Sequence, residues 1–235
     1  MKSNRRSFIT KSSIGILGAF VSTSFTKSSA KSYNKIIGSN DRINIAIQGL
    51  GRRLPGFTKA ISDRSNNVEL SYLCDVMKSQ RIKAAGVFSK ISSHNPILEN
   101  DIRKIFDDKR VDAVYMATPD HWHAPGACMA MASGKHVYLE KPCSHNLNEG
   151  ELLVSYQKHY NKIVQMGNQQ RSSIETNKII NDIHDGIIGD TYQAIAFYHN
   201  GRGKVPNQKV QSPPDGLDWD LFQGPSPRRK YTFNT

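Results

Sequence analysis

Two glycines near residue 50 have the spacing of a phosphate-binding turn. Gly49 and Gly51 begin the segment 49–54, Gly-Leu-Gly-Arg-Arg-Leu, directly after residues 42–47, whose β-branched apolar character predicts a buried strand. Glycines at such a strand end permit a tight turn and bring the backbone close to a pyrophosphate, which the N-terminus of the next helix attracts. Because Leu54 stands where a third small residue is usual, the segment alone leaves an ordinary glycine turn open.

An acidic residue after the second predicted strand supports a dinucleotide site. Asp75 follows residues 68–73, slightly further along the chain than the usual spacing. A carboxylate at this point accepts hydrogen bonds from both ribose hydroxyls and repels a 2′-phosphate, which favours NAD. Arg52 and Arg53 could instead hold that phosphate, so NADP stays open. A role for Asp75 as a helix cap is a further alternative.

A cluster of ring-bearing side chains follows the predicted strand 111–116. Residues 117–125 read Ala-Thr-Pro-Asp-His-Trp-His-Ala-Pro and lie where the carboxyl ends of parallel strands gather ligands. His121 and His123 are two residues apart, which in an extended loop directs them to opposite sides and argues against a shared metal ion. We expect no metal site, and we expect Trp122 or His123 to stack on a nicotinamide or ribose.

A lysine follows the predicted strand 136–139. It belongs to the tripeptide Glu140-Lys141-Pro142, again at the carboxyl edge of the predicted sheet. We expect Lys141 to be buried beside the cofactor and to exchange a proton with a substrate hydroxyl, while Glu140 binds the ribose or the nicotinamide amide. A surface Glu–Lys pair before a turn is the alternative.

Predicted strands and helices alternate along the chain, which is typical of an α/β fold with a parallel, doubly wound sheet. After about residue 170 the pattern changes to a run of strand character over 190–199 and a Gly- and Pro-rich loop over 201–214, so we place a domain boundary between 168 and 189. The predicted strands are 42–47, 68–73, 111–116, 136–139 and 163–165, and the predicted helices are 55–64, 78–88, 101–106, 124–132, 148–160 and 174–185.

Residues 1–30 have the composition of an export signal. They hold five basic residues and no acid, with Arg5 and Arg6 ahead of a short apolar run, 14–21, and small residues up to Ala30. We expect a signal that the twin-arginine export machinery reads, cleaved near Ala30 and directing the protein to the periplasm; a basic tail is the alternative. The apolar run is too short for stable membrane insertion.

Overall composition excludes several other classes of protein. The chain is 37% hydrophobic, enough to bury a core, which argues against a disordered protein. A net charge of +12 fits anionic ligands, but no basic stripe with interleaved aromatic residues points to nucleic acid. The three cysteines have neither the number of a disulfide framework nor the spacing of a zinc site.

Together the motifs resemble the Gfo/Idh/MocA family of oxidoreductases. The resemblance rests on segments 118–124, 134–142 and 166–171, and segment 215–220 resembles one exported subgroup. It implies a Rossmann domain over 40–170. It also implies that 171–235 is the incomplete beginning of a C-terminal α/β domain, whose open antiparallel sheet binds substrate and builds a homo-oligomer in the full-length protein.

The same resemblance implies that Lys141 is the catalytic lysine, that Pro142 follows a cis peptide and that Asn168 lies near the cofactor. The expected cofactor-binding residues are Gly49, Leu50, Gly51, Arg52, Asp75, Thr118, Pro119, His121, Trp122, His123, Glu140 and Asn168, and the expected substrate-binding residues are Lys141, Gln170 and Arg171.

Three functions remain open from the sequence. The first is hydride transfer from a sugar or cyclitol hydroxyl to NAD or NADP, with Lys141 handling the proton. The second is an exported glycoside hydrolase that keeps NAD bound, oxidises a ring carbon transiently, eliminates the aglycone and reduces the ring again. The third is a cofactor-binding module without catalysis. The intact Glu-Lys-Pro segment favours the first.

Overall fold

Six short strands form one parallel sheet. In the computed structural model, which describes residues 42–92, 94–199, 201 and 209–232, the strand order is β3-β2-β1-β4-β5-β6, and each strand is parallel to its neighbours. The chain reverses its direction of winding between β1 and β4, the place where α/β sheets bind ligands. The strands are β1 (Ile43–Gln48), β2 (Val68–Cys74), β3 (Ile97–Glu99), β4 (Ala113–Met116), β5 (His136–Glu140) and β6 (Val164–Gly167).

Helices connect the strands and cover the sheet on both faces. Alternate residues of β1 enter different apolar clusters: Ile45 and Ile47 pack with the first two helices, whereas Ala46 packs with the next three. Burial on both faces therefore confirms the predicted doubly wound Rossmann sheet. The helices are α1 (Leu54–Ser62), α2 (Lys78–Phe88), α3 (Ile102–Asp107), α4 (His123–Ala132), α5 (Leu147–Tyr160), α6 (Ile174–His184) and α7 (Trp219–Gln223).

Side-chain caps fix where the later helices begin. Asn146 accepts a hydrogen bond from the backbone N–H of Glu149 at 3.0 Å, and Asn161 ends α5 in the left-handed conformation. Asp218 caps α7 in the same way, accepting from the N–H of Leu221 at 3.0 Å. Such caps are readable from sequence: Asn146 and Asn148 are both candidates to cap the predicted helix 148–160, and Asn146 is the one that does so.

Two local expectations were wrong, and one strand was missed. β3 was not predicted, because a three-residue strand carries too little pattern. The apolar pattern of the predicted helix 78–88 places Ile82, Ala84 and Ala85 on its inward face, yet Ile82 is 58% exposed, and the buried residues of α2 are Ala84 and Phe88. Residues 120–122 form a 3-10 turn rather than an extended loop, which changes the directions of the two neighbouring histidines.

Strand character over 190–199 does not produce a strand. Within the described part of the chain these residues pair with no other segment as a strand, and Tyr192 and Phe197 are 94% and 87% exposed. A single extended segment needs a hydrogen-bonded neighbour to be stable. The antiparallel sheet expected after residue 170, and the domain boundary there, stay predictions.

The residues between 215 and 232, which we call the strap, return to the carboxyl edge of the sheet. The N–H of Lys78 donates to Gly216 O at 2.8 Å, and the N–H of Asp218 donates to Val76 O at 3.0 Å. Helix α7 lies within the strap and ends at Gly224, whose φ is +50°. A stretch far along the sequence thereby contacts the loop between β2 and α2.

Residues 1–30, with the predicted signal and its cleavage near Ala30, lie outside the described residues. Among the helices that the structure describes, none is both long and apolar enough to cross a bilayer.

The turn after β1 depends on a residue without a side chain. Gly49 has φ +89°, and its N–H donates to Cys74 O at 2.9 Å. A Cβ at this position would lie 2.4 Å from the carbonyl oxygen of Ala117 at the end of β4. Backbone conformation and close approach both require glycine here.

We predict that Gly49→Ala lowers the free energy of unfolding by about 2 kcal/mol or more, because it combines a positive φ with an overlap against backbone. Urea unfolding measures the change. The control is Gly86→Ala in α2, where a Cβ meets nothing within 4 Å and should stabilise the helix by up to about 1 kcal/mol. Equal stability of the two variants would contradict the prediction.

Candidate dinucleotide-binding site

A cavity of about 520 Å³ opens at the carboxyl ends of β1, β2 and β4. Its walls come from the glycine turn, the start of α2, the end of β3, the loop after β4 and the strap. The lining residues include Gln48, Gly49, Gly51, Arg52, Arg53, Asp75, Met77, Gln80, Asn100, Thr118, Pro119, Trp122, Trp219 and Phe222.

Asp75 fixes the glycine turn to the loop after β2. Its Oδ2 accepts from the N–H of Leu50 at 2.8 Å, and its Oδ1 accepts from the N–H of Met77 at 2.8 Å. A carboxylate has about four lone-pair sites, so each oxygen retains capacity for a ligand hydroxyl. Leu50 itself is 1% exposed, so it contributes its backbone to the turn and its side chain to the core.

Two buried oxygens beside the cavity have no hydrogen-bond partner among the described residues: Gln48 Oε1 and Thr118 Oγ1. An unsatisfied buried polar atom costs about 1–3 kcal/mol unless a ligand or water satisfies it. Both residues line the cavity, and a Cβ on Gly51 would meet nothing within 4 Å. Open backbone at Gly51 and unpaired oxygens nearby fit a dinucleotide, with its ribose hydroxyls as donors and its pyrophosphate against the turn.

Arg53 links this turn to the end of β5. Its Nε and Nη2 donate to Glu140 Oε1 at 3.0 and 2.8 Å, and Glu140 is only 3% exposed. With the Gln169 amide turned so that Oε1 faces Arg53, that oxygen accepts from Nη2 at 3.0 Å. The guanidinium therefore compensates a buried carboxylate and joins the ends of β1, β5 and β6.

His123 holds two loops together. It is 1% exposed, its Nε2 lies 2.9 Å from Thr118 O, and its Nδ1 contacts Pro142 O. The loop after β4 is thus tied to the loop after β5, which includes the cis peptide between Lys141 and Pro142, as expected. Because His123 lies between two carbonyl oxygens, it positions these loops. Its buried ring has no exposed face on which a nicotinamide or a ribose could stack.

Trp122 and His121 face the strap. The indole N–H of Trp122 lies 3.0 Å from both Leu221 O and Phe222 O, and His121 Nε2 lies 2.9 Å from Phe222 O. Trp122 also lines the cavity. The two histidines point to different partners, and among the described residues no group of three His, Cys, Asp or Glu side chains could hold a metal ion.

The remaining expected residues lie around the end of β6. Asn168, Gln170 and Arg171 are exposed in and beside a 3-10 turn and do not line the cavity. Lys141 is exposed, whereas the sequence led us to expect burial. The structure therefore gathers the glycine turn, Asp75 and the 118–122 loop around one cavity and leaves the Lys141 region open beside it.

Sequence reasoning missed several residues of the cavity. Gln48 carried a signal, since a polar residue ends an otherwise apolar strand directly before Gly49. Asn100 directly follows β3, and Gln80 lies in the first turn of α2. Neither residue belongs to a recognisable motif. The strap residues Trp219 and Phe222 could not be assigned to this site, because nothing local in their sequence shows which surface they contact.

Burial raises the pKa of two side chains, Cys74 and Tyr138. Burial, reinforced by Asp75, raises the pKa of the Cys74 thiol far above its usual range. Burial and then the Glu140 carboxylate raise the pKa of Tyr138, which packs against Tyr115 at a ring-centroid distance of 5.2 Å. The acidic and basic side chains that line the cavity are Asp75, Asp101, Arg52 and Arg53, the last of which is paired with Glu140.

This fold and this cavity define an NAD-binding Rossmann domain. Residues 43–168 match the Gfo/Idh/MocA family, described as an oxidoreductase family with an NAD-binding Rossmann fold. The chain belongs to that family.

Individual relatives agree with this assignment. The chain is 29% identical over 174 residues to a glycosyl hydrolase family 109 protein of Saccharopolyspora erythraea, covering 70% of this chain and 37% of that protein. It is similar in fold to a myo-inositol 2-dehydrogenase from Lactobacillus plantarum (TM-score 0.55, 23% identity, 63% of this chain and 42% of the other). It is also similar to the WlbA dehydrogenase from Bordetella pertussis in complex with NADH and UDP-GlcNAcA (TM-score 0.53, 21% identity, 62% and 42%).

The chain thus spans well under half the length of these relatives. Their similarity supports the fold and the cofactor-binding half.

We predict that Gly51→Ala folds normally but weakens NADH binding by about tenfold or more, a change of about 1.4 kcal/mol. The added methyl would enter open space in the free protein and the space of the pyrophosphate in the complex. Calorimetric titration with NADH measures the affinity, and Gly86→Ala is the control. Unchanged affinity in Gly51→Ala would place the pyrophosphate elsewhere.

Proposed function

We propose that this chain is the cofactor-binding half of an oxidoreductase that acts on a hydroxyl of a sugar or cyclitol, with Lys141 moving the proton. The observation that carries the proposal is the position of Lys141 directly after β5, next to Glu140, which Arg53 connects to the glycine turn. Bound NAD would supply a hydride acceptor. Residues of the cavity would hold its pyrophosphate at Gly49 and Gly51 and a ribose at Asp75.

Lys141 suits proton transfer because it is accessible while its backbone is fixed. The loop carrying it is held on one side by Glu140, buried and paired with Arg53, and on the other by the contact between Pro142 O and His123. In its neutral form, the Lys141 amine on this fixed loop could accept the proton of a substrate hydroxyl at the edge of the cavity. Asn168, Gln170 and Arg171, exposed near the same edge, are proposed to contact the cofactor or the substrate.

NAD is the proposed cofactor in preference to NADP. Asp75 lines the cavity, and its Oδ2 accepts from the N–H of Leu50 in the glycine turn, so a 2′-phosphate there would meet a negative charge. Arg52 lines the same cavity and is the residue through which NADP would be accommodated.

A redox-neutral glycoside hydrolase is the second candidate. The glycosyl hydrolase family 109 relative supports it, since that protein covers 70% of this chain at 29% identity. The same Rossmann cavity would serve both reactions. They differ in outcome: a dehydrogenase accumulates NADH, whereas a hydrolase releases an aglycone with no net change in cofactor.

Further parts of the proposal concern the whole protein. We propose a substrate-binding domain with an antiparallel sheet after about residue 170, a homo-oligomer, and export to the periplasm through the twin-arginine signal in residues 1–30. Cell fractionation tests the last point: a precursor whose Arg5 and Arg6 are both replaced by Lys should stay in the cytoplasm, and its arrival in the periplasm would contradict the proposal.

We predict that Lys141→Met in the complete protein lowers turnover by about 10²–10⁴-fold, because the variant keeps the aliphatic stem but loses the proton carrier. NADH formation from NAD and a panel of sugars and cyclitols measures dehydrogenation, and aglycone release from aryl glycosides measures hydrolysis.

Lys135→Met is unsuitable as a control, since Lys135 is buried and donates to Asp108 O. The control is Lys158→Met on α5, whose side chain is exposed and remote from the cavity. Full activity of Lys141→Met in both assays, with NADH affinity retained, would show that the proton is moved by another group.

A further inference from the structure

The strap forms part of the wall of the cavity. It supplies five of the lining residues, Leu217, Trp219, Leu221, Phe222 and Tyr231. The same cavity is lined by Gln80 near the beginning of α2 and by Asn100 after β3, and Asn100 Nδ2 donates to Asp218 Oδ2 of the strap at 3.5 Å. Of the described residues that line this cavity, none comes from the end of β5.

Two separate sets of contacts hold the strap in place. On one side Gly216 O accepts from the N–H of Lys78, and the N–H of Asp218 donates to Val76 O. On the other side the indole N–H of Trp122 reaches the carbonyl oxygens of Leu221 and Phe222, both at 3.0 Å. The first set attaches the strap to the loop after β2, and the second attaches it to the loop after β4.

Close packing reinforces the second attachment. A Cβ on Gly224 would lie 2.2 Å from the Trp122 indole ring, so the strap backbone rests directly on that ring. The strap therefore contacts both the indole N–H and the ring of Trp122.

The strap presents aromatic rings to the cavity. Trp219 and Phe222 stack with ring centroids 5.2 Å apart and planes inclined by 17°, and Tyr231 meets Trp219 edge-on at 5.2 Å. The Trp219 N–H is already satisfied by Arg229 O at 2.9 Å, so the rings form a wall with little hydrogen-bonding demand. Such a wall favours a flat aromatic ligand group.

If the cofactor occupies the site proposed above, its adenine is a flat aromatic group of this kind. With the pyrophosphate at Gly51 and a ribose at Asp75, the base attached to that ribose would be held by other residues of the same lining, among them Met77, Asn100 and the strap. We propose that the strap is an adenosine-binding element: its aromatic wall contacts the adenine, and the adenosine half is released only when the strap detaches from Trp122. In this arrangement Trp122 is a positioning residue for the strap.

Phe222→Ala tests the aromatic wall, and Phe197→Ala, an exposed phenylalanine outside the cavity, is the matched control. Binding of ADP, nicotinamide mononucleotide and NADH is measured for the purified chain, together with the rate of NADH release by stopped-flow fluorescence. We expect Phe222→Ala to weaken ADP and NADH by about tenfold or more and to speed NADH release, since a base–aromatic contact is worth this much. Binding of nicotinamide mononucleotide should not change, and Phe197→Ala should resemble the unaltered chain.

Trp122→Phe is a second variant that keeps a ring under Gly224 but removes the donor to Leu221 O and Phe222 O. It should speed NADH release while far-ultraviolet circular dichroism stays unchanged. Unaltered ADP affinity and NADH release in both variants would overturn the proposal, as would an equal loss of ADP and nicotinamide mononucleotide. If the unaltered chain binds none of the three ligands, the cofactor site itself is wrong, which is a different failure from loss of the strap effect alone.

Discussion

The close approach of Gly49 to Ala117 is the constraint on which the rest of the site depends. The two residues follow adjacent strands, β1 and β4, and no side chain fits between their backbones. The turn can therefore bend tightly over the end of the sheet, with its N–H groups directed to Cys74 O and Asp75. Because the N–H groups of Gly49 and Leu50 are used within the protein, an anion would meet the turn from Gly51 onward, at the position where the sheet changes its direction of winding.

Around that turn, polar contacts join loops that are distant in sequence. Arg53 and buried Glu140 connect the turn to β5, His123 connects the loops after β4 and β5, and Trp122 connects the β4 loop to the strap. Each link uses a buried or half-buried polar group, which is costly without its partner. The loops are accordingly held in one arrangement before any ligand arrives, which lowers the ordering cost of binding.

Sequence patterns predicted five of the six strands and the helices between them, because apolar periodicity records burial on both faces of the sheet. They also identified the glycine turn and Asp75. They could not predict β3, which is too short, or the direction of His123, which depends on a 3-10 turn. The contact between Trp122 and Phe222 joins residues 100 positions apart and leaves no local signal.

Residue-resolved NMR can show whether a dinucleotide occupies the cavity between the glycine turn and the strap. Titration of the ¹⁵N-labelled chain with NAD should shift the amide signals of Gly49, Gly51 and Met77, together with those of Leu221 and Phe222 in the strap, and leave the exposed face of α5 unchanged. Saturable shifts confined to other surfaces, or none at the turn with NAD in excess, would contradict the account.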